Sequence, residues 1–255
     1  MSFFQNILII SVFALFTMNC TPKVKNEQNI PNINLQKNDN HVILAELFTS
    51  QGCNSCPPAE DLLKAITQRD SSIILLSFHV DYWNYLGWKD PFSSSEYSNR
   101  QHNYNKTLNG DKDYTPQLII NGTDQMVGSN AKSINQSIND SQSLNTKSRI
   151  SITKSHLRDH HAIIEYSIEQ NFENCNINLA LISFSEKTDV KAGENKGRLL
   201  ESRNVVKYFK SQNAEKNGII SIHYQEEPFD QAVLFLQKKD QEITAVATRF
   251  ITNLE

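Results

Sequence analysis

The residues best suited to chemistry in this sequence are Cys53 and Cys56, in the string Cys-Asn-Ser-Cys-Pro. Two intervening residues let the sulfurs meet across the first turn of a helix, where unpaired N–H groups favour a thiolate at Cys53. Cys56, one turn inside, can then attack a mixed disulfide held on Cys53. Zinc sites share this spacing, but they want four ligands, usually as two such pairs, and the sequence has no second pair. His79 and Asp81 follow an apolar run and would sit at the edge where open α/β sheets place their sites. His79 could serve as a base or thiolate partner. It could also join Cys53 and Cys56 in a soft three-ligand copper site, or order the following loop through a hydrogen bond. That loop gathers Tyr82, Trp83, Tyr85, Trp88 and Phe92. It reads either as the wall of a peptide groove or as a satellite core. No phosphate loop, GxSxG elbow or HExxH string is present, and nothing in the pattern asks for a cofactor.

The elements that must position these residues follow from periodicity. His41 to Phe48 is apolar and strand-forming, and SSIILLSFHV reads as a second buried strand. Pro57 and Pro58 can open a helix, whose face is Leu62, Leu63 and Ile66. Ser95 to Leu108 is expected to be a polar surface helix. TPQLIING is a short strand ending in an Asn-Gly turn, with a hairpin partner at Gln125 to Val127. Ala131 to Leu144 reads as a closing helix. The order is that of a small α/β layer over residues 41–145. From Arg149 the pattern changes to short alternating strands, which predict an all-β sandwich of about 7 strands over 146–255. Gly193, Gly197 and Arg198 fall at a predicted strand-edge turn.

Composition narrows the function. With 38% hydrophobic and 21% charged residues among 255, extended disorder is excluded. A net charge of -3 excludes a basic surface built for nucleic acid. Residues 7–16 are apolar apart from Ser11, too short to span a bilayer and suited to the core of an export signal over 1–20. Cys20 ends that segment, and the pattern resembles a bacterial lipoprotein signal in which the cysteine is lipidated. Residues 21–40 are polar and read as a flexible tether. The expectation is an exported chain, lipid-anchored to a bacterial membrane facing the periplasm.

Residues 41–145, with the first strand, CNSCP and Thr115-Pro116 before an apolar strand, resemble a thioredoxin-like domain. The resemblance implies a cis-proline at Pro116, with Thr115 and its backbone beside the sulfurs and available to a substrate. It also implies a role for Glu46, seven residues before Cys53, as a buried acid aiding proton transfer. Glu46 could equally be satisfied by a loop N–H or by Arg100. The strings ELFTSQGCNSCPPAE, SFHVDYWNYLGWKDPF, YTPQLIING and ENKGRLLESRNVVKYF are similar to the DUF1223 family of exported bacterial proteins. Three functions stand open. The first is thiol-disulfide exchange with exported protein thiols, using Cys53, Cys56, Glu46 and Pro116, with Thr115, Tyr82, Trp83 and Trp88 against the substrate. The second is copper delivery through Cys53, Cys56 and His79. The third is a membrane-tethered binding module with a static disulfide.

Overall fold

The structure is a computed structural model and describes residues 42–142, 149–225 and 229–251. The expected export signal, Cys20, the tether and the junction near 145–148 lie outside the described residues. Chain order begins with strand β1 (Ile43–Thr49), helix α1 (Cys56–Arg69), strand β2 (Ile73–His79) and helix α2 (Ser95–Thr107). A hairpin of β3 (Gln117–Ile120) and β4 (Asp124–Val127) follows, then α3 (Ala131–Gln142). Seven strands complete the chain: β5 (Arg149–Arg158), β6 (His161–Glu169), β7 (Cys175–Asp189), β8 (Leu199–Asn213), β9 (Asn217–His223), β10 (Gln231–Lys238) and β11 (Ile243–Phe250).

The pairing of these strands overturns the expected fold class. Instead of a thioredoxin-like α/β domain followed by an all-β sandwich, one mixed sheet of eight strands draws on both halves of the chain. Its order is β11-β10-β7-β8-β2-β1-β3-β4, and β5-β6-β9 form a separate three-stranded sheet. The protein is mostly β. The reason lies in β2. Its run IILLSF is apolar on both faces, as a strand covered on both sides must be, and its outer edge takes β8 in parallel, with Ser77 opposite Val205. On the other edge β2 pairs in parallel with β1.

Alternation along β1 and β2 sorts their side chains between two cores. Ile43, Ala45, Leu47, Ile73 and Leu75 pack with α1 and α3. Leu44, Phe48, Leu76 and Phe78 pack with Tyr97 and Tyr104 of α2, and with Val206, Val233 and Phe235. Helix α2 is therefore not the surface helix its polarity suggests: it buries Tyr97, Gln101, Tyr104 and Asn105. Ser94 caps it by accepting from the Glu96 N–H. A third core joins β5, β6 and β9 to β7 and β10. Strand β10, QAVLFLQ, is buried at every one of these positions because both its faces are covered.

Candidate functional site

β1 ends at Thr49, and a turn carries the chain to Cys53, whose N–H donates to the Ser50 carbonyl at 3.2 Å. Cys56 opens α1, with prolines in the first turn where no N–H partner is needed. Cys53 and Cys56 are joined as a disulfide with a Cα–Cα separation of 5.5 Å. Cys53 Sγ lies 3.3 Å from Ser55 Oγ and 3.9 Å from the Thr115 carbonyl oxygen. The Thr115–Pro116 peptide is cis. Trp83 Nε1 donates to Thr115 Oγ1 at 2.8 Å, and Tyr82 donates to Gln101, which itself donates to the Tyr114 carbonyl at 2.7 Å. The aromatic loop thus fixes the segment facing Cys53. Trp88 Nε1 donates to Gln51 Oε1 at 3.1 Å, on the other flank of the same turn.

In the disulfide both cysteines are fully buried, because the turn between β7 and β8 lies over them. Gly193, at φ 76°, sits against Gly52, and a Cβ on Gly193 would lie 3.7 Å from the Gly52 Cα. Asn195 is fully buried, and its Nδ2 donates to the carbonyls of Gln51 and Cys53, each at 2.9 Å. Arg198 orients it through a 2.7 Å bond to Oδ1. Glu194 accepts the Asn54 N–H at 3.0 Å. The predicted strand-edge turn is thus a strap across the cysteine loop.

Behind the disulfide, on the α1 face, lies a buried polar cluster. Thr49 Oγ1 donates to Glu60 Oε1 at 2.8 Å, and Glu60 is one helical turn past Cys56. His79 Nδ1 meets Asp90 Oδ2 at 2.7 Å, with both side chains fully buried. Asp90 also accepts the N–H groups of Gln51 and Phe92 at 2.8 and 3.0 Å. These contacts fix the Nδ1–H tautomer and leave Nε2, which has no hydrogen-bond partner among the described residues. Burial pushes the Glu60 carboxyl above the usual carboxylate range, with His79 and Thr49 opposing it in part. Burial alone would discharge His79, but Asp90 and Glu60 outweigh it and its pKa is raised. Burial would likewise raise Asp90, but His79 and the two N–H groups hold it below its usual value.

Glu46 does not meet the sulfurs. It points to the opposite face of β1, where Arg100 holds it at 2.6 and 3.0 Å and Tyr104 donates to it. A strand alternates sides every residue, so Glu46 falls on the α2 face, opposite Thr49, which meets Glu60 of α1. Nor does the copper set come together: no group of three or more His, Cys, Asp or Glu side chains able to hold a metal ion occurs among the described residues. Asp81 accepts from Ser98 Oγ and orders the start of the aromatic loop. Sequence reasoning missed Glu60, Asp90 and Asn195. Of these, Glu60 had a legible signal, four residues beyond Cys56 on a predicted helix.

Residues 44–237 match the family described as protein of unknown function, DUF1223. The chain belongs to that family. The DUF1223 match takes in the cysteine turn, the aromatic loop, Thr115-Pro116 and the strap. No curated protein matches this DUF1223 chain. It is similar to a protein from Agrobacterium tumefaciens solved by X-ray crystallography in a structural genomics programme. The two are 25% identical with a TM-score of 0.62, over 84% of this chain and 98% of the other.

Proposed function

We propose that this DUF1223 protein exchanges disulfides with other protein thiols through Cys53 and Cys56. The observation that carries the reading is a disulfide closed at the head of α1, with Cys53 ahead of the helix and Cys56 as its first residue. An incoming thiolate attacks Cys53 Sγ, the Cys53–Cys56 bond breaks, and Cys56 leaves as the thiolate. In reverse, Cys56 attacks Cys53 Sγ and expels the partner thiolate. The positive end of the α1 dipole favours the Cys53 anion. Both steps require the Gly193–Arg198 strap to lift. In the full chain, Cys56→Ser should trap mixed disulfides on Cys53 with a small disulfide such as oxidised glutathione. No adduct after denaturing mass spectrometry would overturn the reading.

Burial of both sulfurs supports a second reading, a binding module whose disulfide is static. Native-state reduction by dithiothreitol separates the two: a static disulfide resists until the chain unfolds, while an exchanging one opens in the folded protein. Export and lipidation at Cys20 belong to the same proposal and rest on the apolar run 7–16 that ends near that cysteine. Cys20→Ala should release the protein from the membrane fraction. A variant that stays with the membrane would refute the anchor.

A further inference from the structure

We propose that Asn195 is the latch of a gate that decides which thiols reach Cys53: the strap over residues 190–198 swings off the cysteine turn as one closed piece, and the pair reacts only while it is off. The proposal rests on the exchange reading above and adds the control of that same site.

The strap is built to move as a unit. At its base the Val190 N–H donates to the Arg198 carbonyl at 3.0 Å, and the Gly197 N–H donates to the Val190 carbonyl at 2.8 Å. Further along, the Lys196 N–H donates to the Gly193 carbonyl at 3.2 Å and the Arg198 N–H to the Asn195 carbonyl at 3.1 Å. All four bonds lie inside the strap, so lifting it breaks none of them. Arg198 holds the Asn195 Oδ1 from within the strap as well.

What holds the strap down is narrow by comparison. Between residues 191 and 198 Asn195 alone is buried, and Val190, at the base, is the buried apolar residue of the strap. A primary amide carries two donors. Asn195 spends both on the turn, one on the Gln51 carbonyl and one on the Cys53 carbonyl. Glu194 adds an exposed bond to the Asn54 N–H. When the strap lifts, these groups pass into water and find partners there, so opening forfeits only the small net worth of a few hydrogen bonds. Segments held by so little buried apolar surface open locally, well below the cost of unfolding the whole chain.

The gate selects among partners by what they bring. A small thiol reaches Cys53 only in the fraction of time the strap is up. A protein segment that offers its own donors to the Gln51 and Cys53 carbonyls replaces Asn195 and keeps the gate open while it reacts. Protein thiols are thereby favoured over small ones at the same pair.

The test is native-state reduction of the full chain by dithiothreitol. One reagent thiolate attacks Cys53 Sγ and Cys56 leaves as thiolate. The second reagent thiol then attacks its own bound sulfur and releases Cys53, so the protein gains two electrons and dithiothreitol loses them. The wild-type rate should depend only weakly on urea, because lifting one strap exposes little surface. Asn195→Ala should react about 10-fold faster with the same weak dependence, and Arg198→Ala, which leaves the amide unoriented, about 3-fold faster. Equal rates in wild type and Asn195→Ala would overturn the latch. A steep urea dependence in wild type would overturn it too, since the pair would then open only by global unfolding. If Asn195→Ala misfolds, Arg198→Ala decides alone, because Arg198 is exposed. The exchange reading fails separately: if Asn195→Ala speeds dithiothreitol while the double variant Asn195→Ala, Cys56→Ser takes up no glutathione from its disulfide, exchange is refuted and the gate stands.

Discussion

Two buried glutamates lie on opposite faces of the same strand pair, and their surroundings differ in kind. Glu46, on the α2 face, is gripped by two donors of the Arg100 guanidinium, Nε and Nη2. That cation lies 4.9 to 5.5 Å from the ring centres of Phe78, Tyr104, Phe209 and Phe235. Arginine does not titrate in a folded protein, so the cation on this face is fixed. Glu60, on the α1 face, is paired with a threonine hydroxyl and shares its cavity with an imidazole that can lose its charge. The lesson is that burial alone does not make an acid reactive. What matters is whether its neighbouring cation can give up its proton.

The sharpest way to break this comparison is to cut the cation from the fixed face. Arg100→Met leaves Glu46 buried and unpaired, and should lower stability by about 3–5 kcal/mol in urea unfolding. A loss under half that size would mean the two faces are alike.

Cutting the anion from the titratable face should cost less, because His79 can discharge. Asp90→Ala removes the partner of His79 and the acceptor for Gln51 and Phe92, a loss of about 1–3 kcal/mol. Its pH dependence follows from the directions of the shifts. The raised His79 stabilises fully below its ordinary value of 6.5 and less as pH rises through its folded pKa. The depressed Asp90 stabilises above its ordinary 3.8 and fails as pH falls through its folded pKa. The variant's deficit should therefore peak between those two ordinary values and shrink above 6.5. A deficit that grows toward alkaline pH would contradict the pairing.

Glu60→Gln should have the smallest effect and the opposite sign. A carboxyl raised above 4.5 stabilises the fold most while protonated, and that contribution is lost as pH rises through the folded pKa. Glutamine keeps the Thr49 bond and cannot ionise, so the variant should gain on wild type as pH rises, by about 1 kcal/mol. Thermal unfolding at two pH values checks it, and a loss at neutral pH would show that Glu60 is held as an anion after all.

Much of the local structure was legible in the residues. The apolar runs ending at Phe48 and His79 form β1 and β2, the double proline opens α1, and Asn121-Gly122 turns β3 into β4 with positive φ at both residues. What could not be read was pairing over long range. Ser77 and Val205 meet across 128 residues (205 − 77), and no local pattern names a distant partner. The one clue was that β2 is apolar on both faces. The site was half legible for the same reason. Cys53, Cys56 and the Thr115 segment were marked by spacing and motif. Glu60 needed the choice of helix face over strand parity, and Asp90 and Asn195 reach the site only through loops that tertiary packing brings in.

The Asn195 strap also imposes an order on the making of the protein. Asn195 is 142 residues downstream of the Cys53 carbonyl it holds. At a synthesis rate of about 5–20 residues per second, the cysteine turn therefore waits roughly 7 to 30 s for its cover. During that interval the nascent chain carries both thiols without the strap, and any oxidant or oxidising partner it meets acts on an open loop. The disulfide can therefore be set before Asn195 arrives to close over it, so the first redox state of the pair is chosen by the surroundings of its synthesis.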